Sequence, residues 1–131
     1  YDAWRVERNW SVDWSWWRKA PSEQLLSDRI QKFFASQGIA TYGPMYELDG
    51  KPIPVPNRPG VTPETQSPGG LVGTNGVGSL AATDAARARL FTEALWNEPI
   101  PSGFSRYYDG MLYLMSLLHV SGEYRIIMPA K

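Results

Sequence analysis

The stretch Gly69-Gly70-Leu71-Val72-Gly73-Thr74-Asn75-Gly76-Val77-Gly78 restricts the fold more than any other part of the chain. Residues 70–82 read as a helix, yet Gly73, Gly76 and Gly78 fall inside it. Each interior glycine costs about 1 kcal/mol relative to alanine. Three of them in one helix make sense only if another backbone packs very close. The chain must therefore bury this helix against neighbours. A phosphate loop is excluded, because no Gly-Lys-Ser/Thr ending follows.

Helices are expected on both sides of this element. Residues 1–19 read as one, with Val6, Trp10, Trp14 and Trp17 at three- and four-residue steps and Arg8, Asp13 and Arg18 among the polar positions. Pro21 suits a first helical turn, and the stripe Leu25, Leu26, Ile30, Phe33, Phe34 then runs to Gly38, a good left-handed stop. Thr83 is expected to cap a helix over residues 84–96, and Pro99 and Pro101 break the chain before a last helix over 105–120. Residues 124–128 form a short apolar tail. Between the second and third helices, Tyr42 to Leu48 alternates loosely, Asp49-Gly50 signals a two-residue hairpin turn, and Lys51 to Val55 returns. Residues 56–68 form a long loop rich in Pro, Thr, Asn and Ser, placed to overhang a groove. Five helices and one hairpin with no internal repeat predict an all-α architecture of stacked helical hairpins.

Composition narrows the function classes. The 131 residues carry 13 basic and 13 acidic side chains, so nothing in the charge attracts nucleic acid or an anionic membrane. The absence of cysteine removes disulfides, thiolate nucleophiles and Cys-based metal sites. No apolar run reaches the roughly 18 residues of a membrane span. Neither a metal site nor a cofactor is expected, because the single histidine has no Cys or His partner and the acids are scattered. Tyr1 lacks an initiator methionine and stands at a helix start, so the chain reads as a fragment of something longer. Six tryptophans, five of them between Trp4 and Trp17, exceed what a core of this size requires. At least three are expected between helices, and the indole faces also suit the apolar faces of sugar rings.

The first turn holds the candidate chemistry. In a helix Asp2 and Arg5 share a face, so the guanidinium can keep the carboxylate ionised, as does the positive end of the helix dipole. An ionised carboxylate beside aromatic rings suits a general base in sugar cleavage. The same pair also reads as ordinary helix stabilisation. Among other acids, Asp109 reads equally as a group reaching a substrate hydroxyl or as a helix-start residue. Glu47 and Asp49 belong to the hairpin, and Glu7 and Asp13 read as solvated or arginine-paired. His119, among Leu117, Leu118 and Val120, reads as a buried structural residue.

Taken together, Tyr1-Asp2-Ala3-Trp4-Arg5, Leu71-Val72-Gly73-Thr74-Asn75, Glu93-Ala94-Leu95-Trp96-Asn97, Ile100-Pro101-Ser102-Gly103, Arg106-Tyr107-Tyr108-Asp109-Gly110 and Leu117-Leu118-His119-Val120-Ser121-Gly122 resemble glycoside hydrolase family 8. The segments come in the right order over nearly the whole chain. That resemblance implies the last helices of an (α/α)6 barrel with one inserted β-hairpin. Residues 1–131 would be the C-terminal part of a single catalytic domain. It implies an inverting attack on a β-linked polysaccharide, with Asp2 as general base, Arg5 contacting that base, and Tyr1, Phe104, Tyr107 and Tyr108 at the sugar site. The family's general acid, a glutamate in its early helices, has no counterpart here, so the remainder of the domain becomes a necessary partner and this chain alone is expected to be inactive. The runs Asp49-Gly50-Lys51-Pro52 and Arg106 to Gly110 look more like the xylan-active members than the cellulases. Some of those members release xylose from reducing ends by means of a loop histidine. Residues 55–68 have none, which favours endo cleavage. Cellulase action and reducing-end oligoxylanase action stay open within the family, and a non-catalytic carbohydrate-binding helical module stays open outside it. Secretion or a periplasmic location follows from the substrate class.

Overall fold

A computed structural model describes residues 2–54, 69–104 and 106–127, with Asp2 described by its backbone alone. It contains α1 (Asp2–Trp17), α2 (Pro21–Gln37), α3 (Gly69–Gly78), α4 (Ala85–Asn97) and α5 (Arg106–Val120). The all-α expectation holds. Among the described residues the expected hairpin is reduced to one antiparallel bridge, Tyr46 to Pro52. Its turn differs from the two-residue form expected. The Gly50 N–H reaches the Glu47 carbonyl at 2.9 Å and the Glu47 N–H reaches the Lys51 carbonyl at 2.8 Å, so three residues form the loop. Gly50 takes φ 87°, where a side chain would be strained. Asp49 reinforces the turn, accepting from the Lys51 N–H at 3.0 Å and pairing with its ammonium at 2.7 Å.

The helix ends follow local chemistry. Pro21 opens α2, and Gly38 closes it at φ 94° with its N–H on the Ala35 carbonyl. The start of α4 is shifted by one residue from the reading above. Asp84, not Thr83, is the N-cap, accepting from the Arg87 N–H at 3.0 Å. Thr83 is drawn instead to α2, where its N–H and hydroxyl donate to Asp28 at 2.9 and 2.5 Å. Arg87 closes this clamp on both Asp28 and Asp84, at 3.0 and 2.9 Å. The third helix stops at Gly78, short of the expected Ala82, and residues 79–81 continue as turns.

Helix α3 lies at the centre. It packs on all four other helices, which also meet one another in the order α1, α2, α4, α5 around it. All ten of its residues are buried. Its glycines are filled from outside, as the sequence required. A Cβ on Gly73 would fall 2.8 Å from Ser116 Oγ, and one on Gly76 would fall 2.9 Å from both Cβ and Cδ2 of Leu95. Leu71, Val72, Phe91, Leu112, Trp4 and Tyr42 complete the core. The bridge segment docks on the end of α2 through edge-on rings, Tyr46 lying 4.9 Å from Phe33 and 5.9 Å from Phe34.

The faces of α1 and α2 correct the sequence reading. Helix α1 buries Trp4, Glu7 and Ser11, the first two against α3, while Val6 and Trp17 stand 53% and 46% exposed. In α2 the buried positions are Ser27 and Gln31, not the Leu25–Leu26 step. Ser11 and Ser27 meet at 2.9 Å where the two helices cross. A glycine helix leaves room for short or flat polar groups beside it, so hydrophobicity alone did not mark the buried face. Trp4 and Trp10 do pack between helices, Trp10 donating to Ser27 Oγ at 2.9 Å, whereas Trp16, Trp17 and Trp96 are exposed.

Candidate active site

Three helix starts converge at one end of the molecule. The Gly70 N–H, in the first turn of α3, donates to Asp109 Oδ1 in the first turn of α5 at 3.2 Å. A Cβ on Gly70 would meet that oxygen at 2.6 Å, Leu112 Cδ1 at 2.9 Å and the Trp4 ring at 3.3 Å. Trp4, two residues into α1, leans on Tyr108 with ring centres 6.3 Å apart. The positive ends of three helix dipoles therefore face the same region, which favours anionic groups there. Burial raises the Asp109 carboxyl above its usual range, the Gly70 N–H works against that rise, and Glu98 adds to it. Asp109 is 5% exposed and serves as an N-terminal acceptor for a neighbouring helix, the structural one of its two expected roles.

The proposed site residues are distributed around this junction. Asp2 is the first residue of α1, and its side chain lies outside the described set, as does the whole of Tyr1. Arg5 is exposed on the same helix one turn on. Tyr108 is half-buried against Trp4. Phe104 precedes α5 and Tyr107 lies in its first turn, 69% and 81% exposed. The structure therefore brings the start of α1 and Tyr108 together and leaves Phe104 and Tyr107 open to solvent. Residues 56–68, the loop expected to overhang the groove, lie outside the described residues.

Other groups depart from expectation or refine it. Glu7 is neither solvated nor arginine-paired, being 4% exposed, and burial raises its carboxyl well above the usual range. One acid among the many polar residues of α1 gave no signal of this, because burial depends on the opposite helix. Asp13 is exposed, and its carboxyl adds to burial in raising Glu23. His119 is buried, as expected, with Tyr124 edge-on at 4.5 Å, and burial together with the Arg8 charge lowers its pKa. An open groove of about 290 Å³ runs between α1 and α5, lined by Arg8, Val12, Trp16, Met115, His119 and Tyr124 among others. It starts about 9 Å along α1 from Asp2 at 1.5 Å per residue, so it is separate from the helix starts. Among the described residues no group of three His, Cys, Asp or Glu side chains could hold a metal ion. No described helix is long and apolar enough to cross a membrane.

No family model matches the chain. The reducing-end xylose-releasing exo-oligoxylanase Rex8A of Paenibacillus barcinonensis is 40% identical over 125 residues, which is 95% of this chain and 30% of that protein. A reducing end xylose-releasing exo-oligoxylanase of Halalkalibacterium halodurans is 34% identical over 128 residues, 98% of this chain and 31% of its own length. The chain thus spans about 30% of the length of the curated relatives it matches. Among solved structures, a GH8 xylobiose complex from Teredinibacter turnerae superposes with TM-score 0.79 at 41% identity, over 95% of this chain and 29% of that one. Rex8A complexed with xylose superposes with TM-score 0.81 at 38% identity, over 98% of this chain and 31% of its own. The five helices therefore match a partial segment of the (α/α)6 barrel of such structures.

Proposed function

We propose that this chain is part of an inverting glycoside hydrolase of family 8 that cleaves β-1,4-linked xylan or its oligosaccharides. The observation that carries this reading is similarity at 40–41% identity across 95% of the chain to a xylose-releasing oligoxylanase and to a GH8 structure holding xylobiose. The convergence of three helix starts around Trp4, Gly70 and Asp109 supports it by giving an anionic base a favourable seat.

In this reading residues 1–131 form the C-terminal part of one catalytic domain. The remainder supplies the general acid and covers apolar positions such as Val6, Met111, Leu114 and Leu118, which are 39–53% exposed. Asp2, at the N-terminus of α1, accepts a proton from a water that attacks C1 opposite the leaving group. The acid protonates the glycosidic oxygen. The two carboxyl groups of an inverting enzyme stand roughly 6.5–9.5 Å apart, leaving space for that water. Arg5 holds the base charged and oriented, while Tyr1, Phe104, Tyr107 and Tyr108 shape the sugar site. The substrate is a polymer found outside cells, so the protein acts as a secreted or periplasmic enzyme.

Endo cleavage is proposed, because residues 55–68 contain no histidine to close the groove. Reducing-end exo cleavage is the second reading, favoured by the activity that the curated relatives are named for. Digestion of xylohexaose by the complete protein separates them: internal products mark the endo mode, and xylose released stepwise from one end marks the other. In the same assay Asp2→Asn should lower kcat on the order of 10²–10⁴-fold with little change in substrate binding. Near-normal turnover by that variant removes Asp2 from the role. Parallel incubation with carboxymethyl cellulose tests the cellulase alternative. Cooperative unfolding and glycan binding by the isolated 131 residues would favour a non-catalytic module instead.

A further inference from the structure

The crossing of α1, α2 and α3 buries a carboxyl oxygen of Glu7 and an amide oxygen of Gln31, neither with a hydrogen-bond partner. Gln31, fully buried on α2, uses both amide hydrogens, donating to the Asn75 carbonyl and to Ser79 Oγ at 3.0 Å each. Ser79 in turn donates to the Ala88 carbonyl at 2.8 Å, so its oxygen can only accept from Gln31. The orientation of the amide is therefore determined, and its Oε1 is buried without a donor. Glu7 of α1 lies against the same amide group, over Gly78. Its Oε1 occupies the notch over Gly78, 2.5 Å from where a Cβ would stand, and Gln31 Nε2 is 3.3 Å from that same point. That carboxyl oxygen also lacks a partner, and Glu7 makes no ion pair among the described residues. A buried charge without a counter-charge is far costlier than a neutral acid.

We propose that Glu7 carries its proton in the folded protein and donates it in a hydrogen bond to Gln31 Oε1, locking α1 to α2 and α3. The glycine at position 78 is what makes room for the carboxyl. Burial acts in the same direction, raising the Glu7 pKa well above its ordinary value. The groups facing Glu7 leave that state undisturbed. Gln31 from α2 and Gly78 and Asn75 from α3 do not titrate, and the Tyr42 phenol after α2 is pushed upward by burial and stays neutral. Glu98, beyond the end of α4, acts on Tyr42 with the same sign as Glu7. Glu7 is thus a positioning residue for the helix that carries Asp2 and Arg5, and its protonation state does not depend on the activity proposed above.

The test uses the complete protein with glutamate carboxyls labelled with ¹³C. One carboxyl resonance should remain in its protonated position at neutral pH and disappear in Glu7→Gln, which keeps a donor and carries no charge. The sign of the linked stability is set by the raised pKa. The parent holds the full contribution below the ordinary glutamate range and loses it as pH rises through the folded value. The melting temperature of Glu7→Gln should therefore match the parent near pH 4 and exceed it increasingly toward about pH 8. Loss of no protonated resonance in the variant, superimposable pH profiles, or a variant destabilised at neutral pH would each overturn the proposal.

Discussion

The surroundings of α3 and the outward faces of α1 and α5 are built on opposite rules. Half of α3 is glycine, the helix is buried throughout, and its glycines are met by Ser116, Gln31 and Glu7 as well as by Leu95, Leu112 and Trp4. On the outward faces, Val6, Met111, Leu114 and Leu118 are 39–53% exposed. Close approach selects glycine on α3 itself, since a side chain there would collide with its neighbours. Large apolar groups are favourable where a second layer can be laid over them. The difference teaches that the most buried helix owes its burial to glycine as much as to apolar side chains. Within the proposed function, the apolar faces await the remainder of the barrel.

The comparison breaks first at Gly76. Gly76→Leu in the complete protein should lower stability by about 3 kcal/mol, because even a Cβ there meets Leu95 and approaches the Phe91 carbonyl at 3.4 Å. Urea unfolding measures it, with Gly43→Ala as a control expected within about 0.5 kcal/mol, since nothing lies within 4 Å of that position. A tolerated leucine would mean that α3 is not held as tightly as described.

A smaller effect sharpens the other side. Leu114→Asn should cost about 2 kcal/mol in the complete protein, where the apolar face is covered, and should instead reduce self-association of the isolated chain. Chemical denaturation and sedimentation give the two readouts. Equal, negligible stability effects in both would show that no further chain covers this face.

The smallest effect concerns the clamp between α2 and α4. Despite the opposing effect of partial burial, the Thr83 hydroxyl and N–H, the Asp84 N–H and Arg87 hold the Asp28 carboxyl below its usual range. The contribution of that clamp is therefore present above the ordinary aspartate value and is lost as pH falls through the lower folded value. Asp28→Asn should remove about 1 kcal/mol or less at neutral pH, given a pair that keeps some contact with solvent. Its stability should also converge on that of the parent in acid. Parallel curves down to low pH would assign the clamp no electrostatic role.

Helix limits were legible where one residue decides them. Pro21 and Gly38 bound α2 through a fixed φ and a left-handed φ, and the glycines of α3 announced close neighbours. The start of α4 was misread by one residue, because Thr83 and Asp84 are both good caps and only the presence of Asp28 on α2 draws Thr83 away. The hairpin turn was misread because Asp49-Gly50 serves a three-residue loop as well as a two-residue one. At the candidate site, the i, i+3 placement of Asp2 and Arg5 was readable from spacing alone. That Asp109 caps α3 was not, since its acceptor role depends on a helix whose start lies 39 residues away in the chain.

By itself, the sequence determined the helical class, the five helices of the described residues and the need for a tightly enclosed glycine helix. Those follow from backbone preferences that act over one or two turns. Only the tertiary structure decided which face of α1 is inward, that Glu7 is buried with Gln31, and that Trp4, Gly70 and Asp109 share one corner. Those outcomes depend on the surface each side chain meets across the interface, and that surface belongs to residues far along the chain.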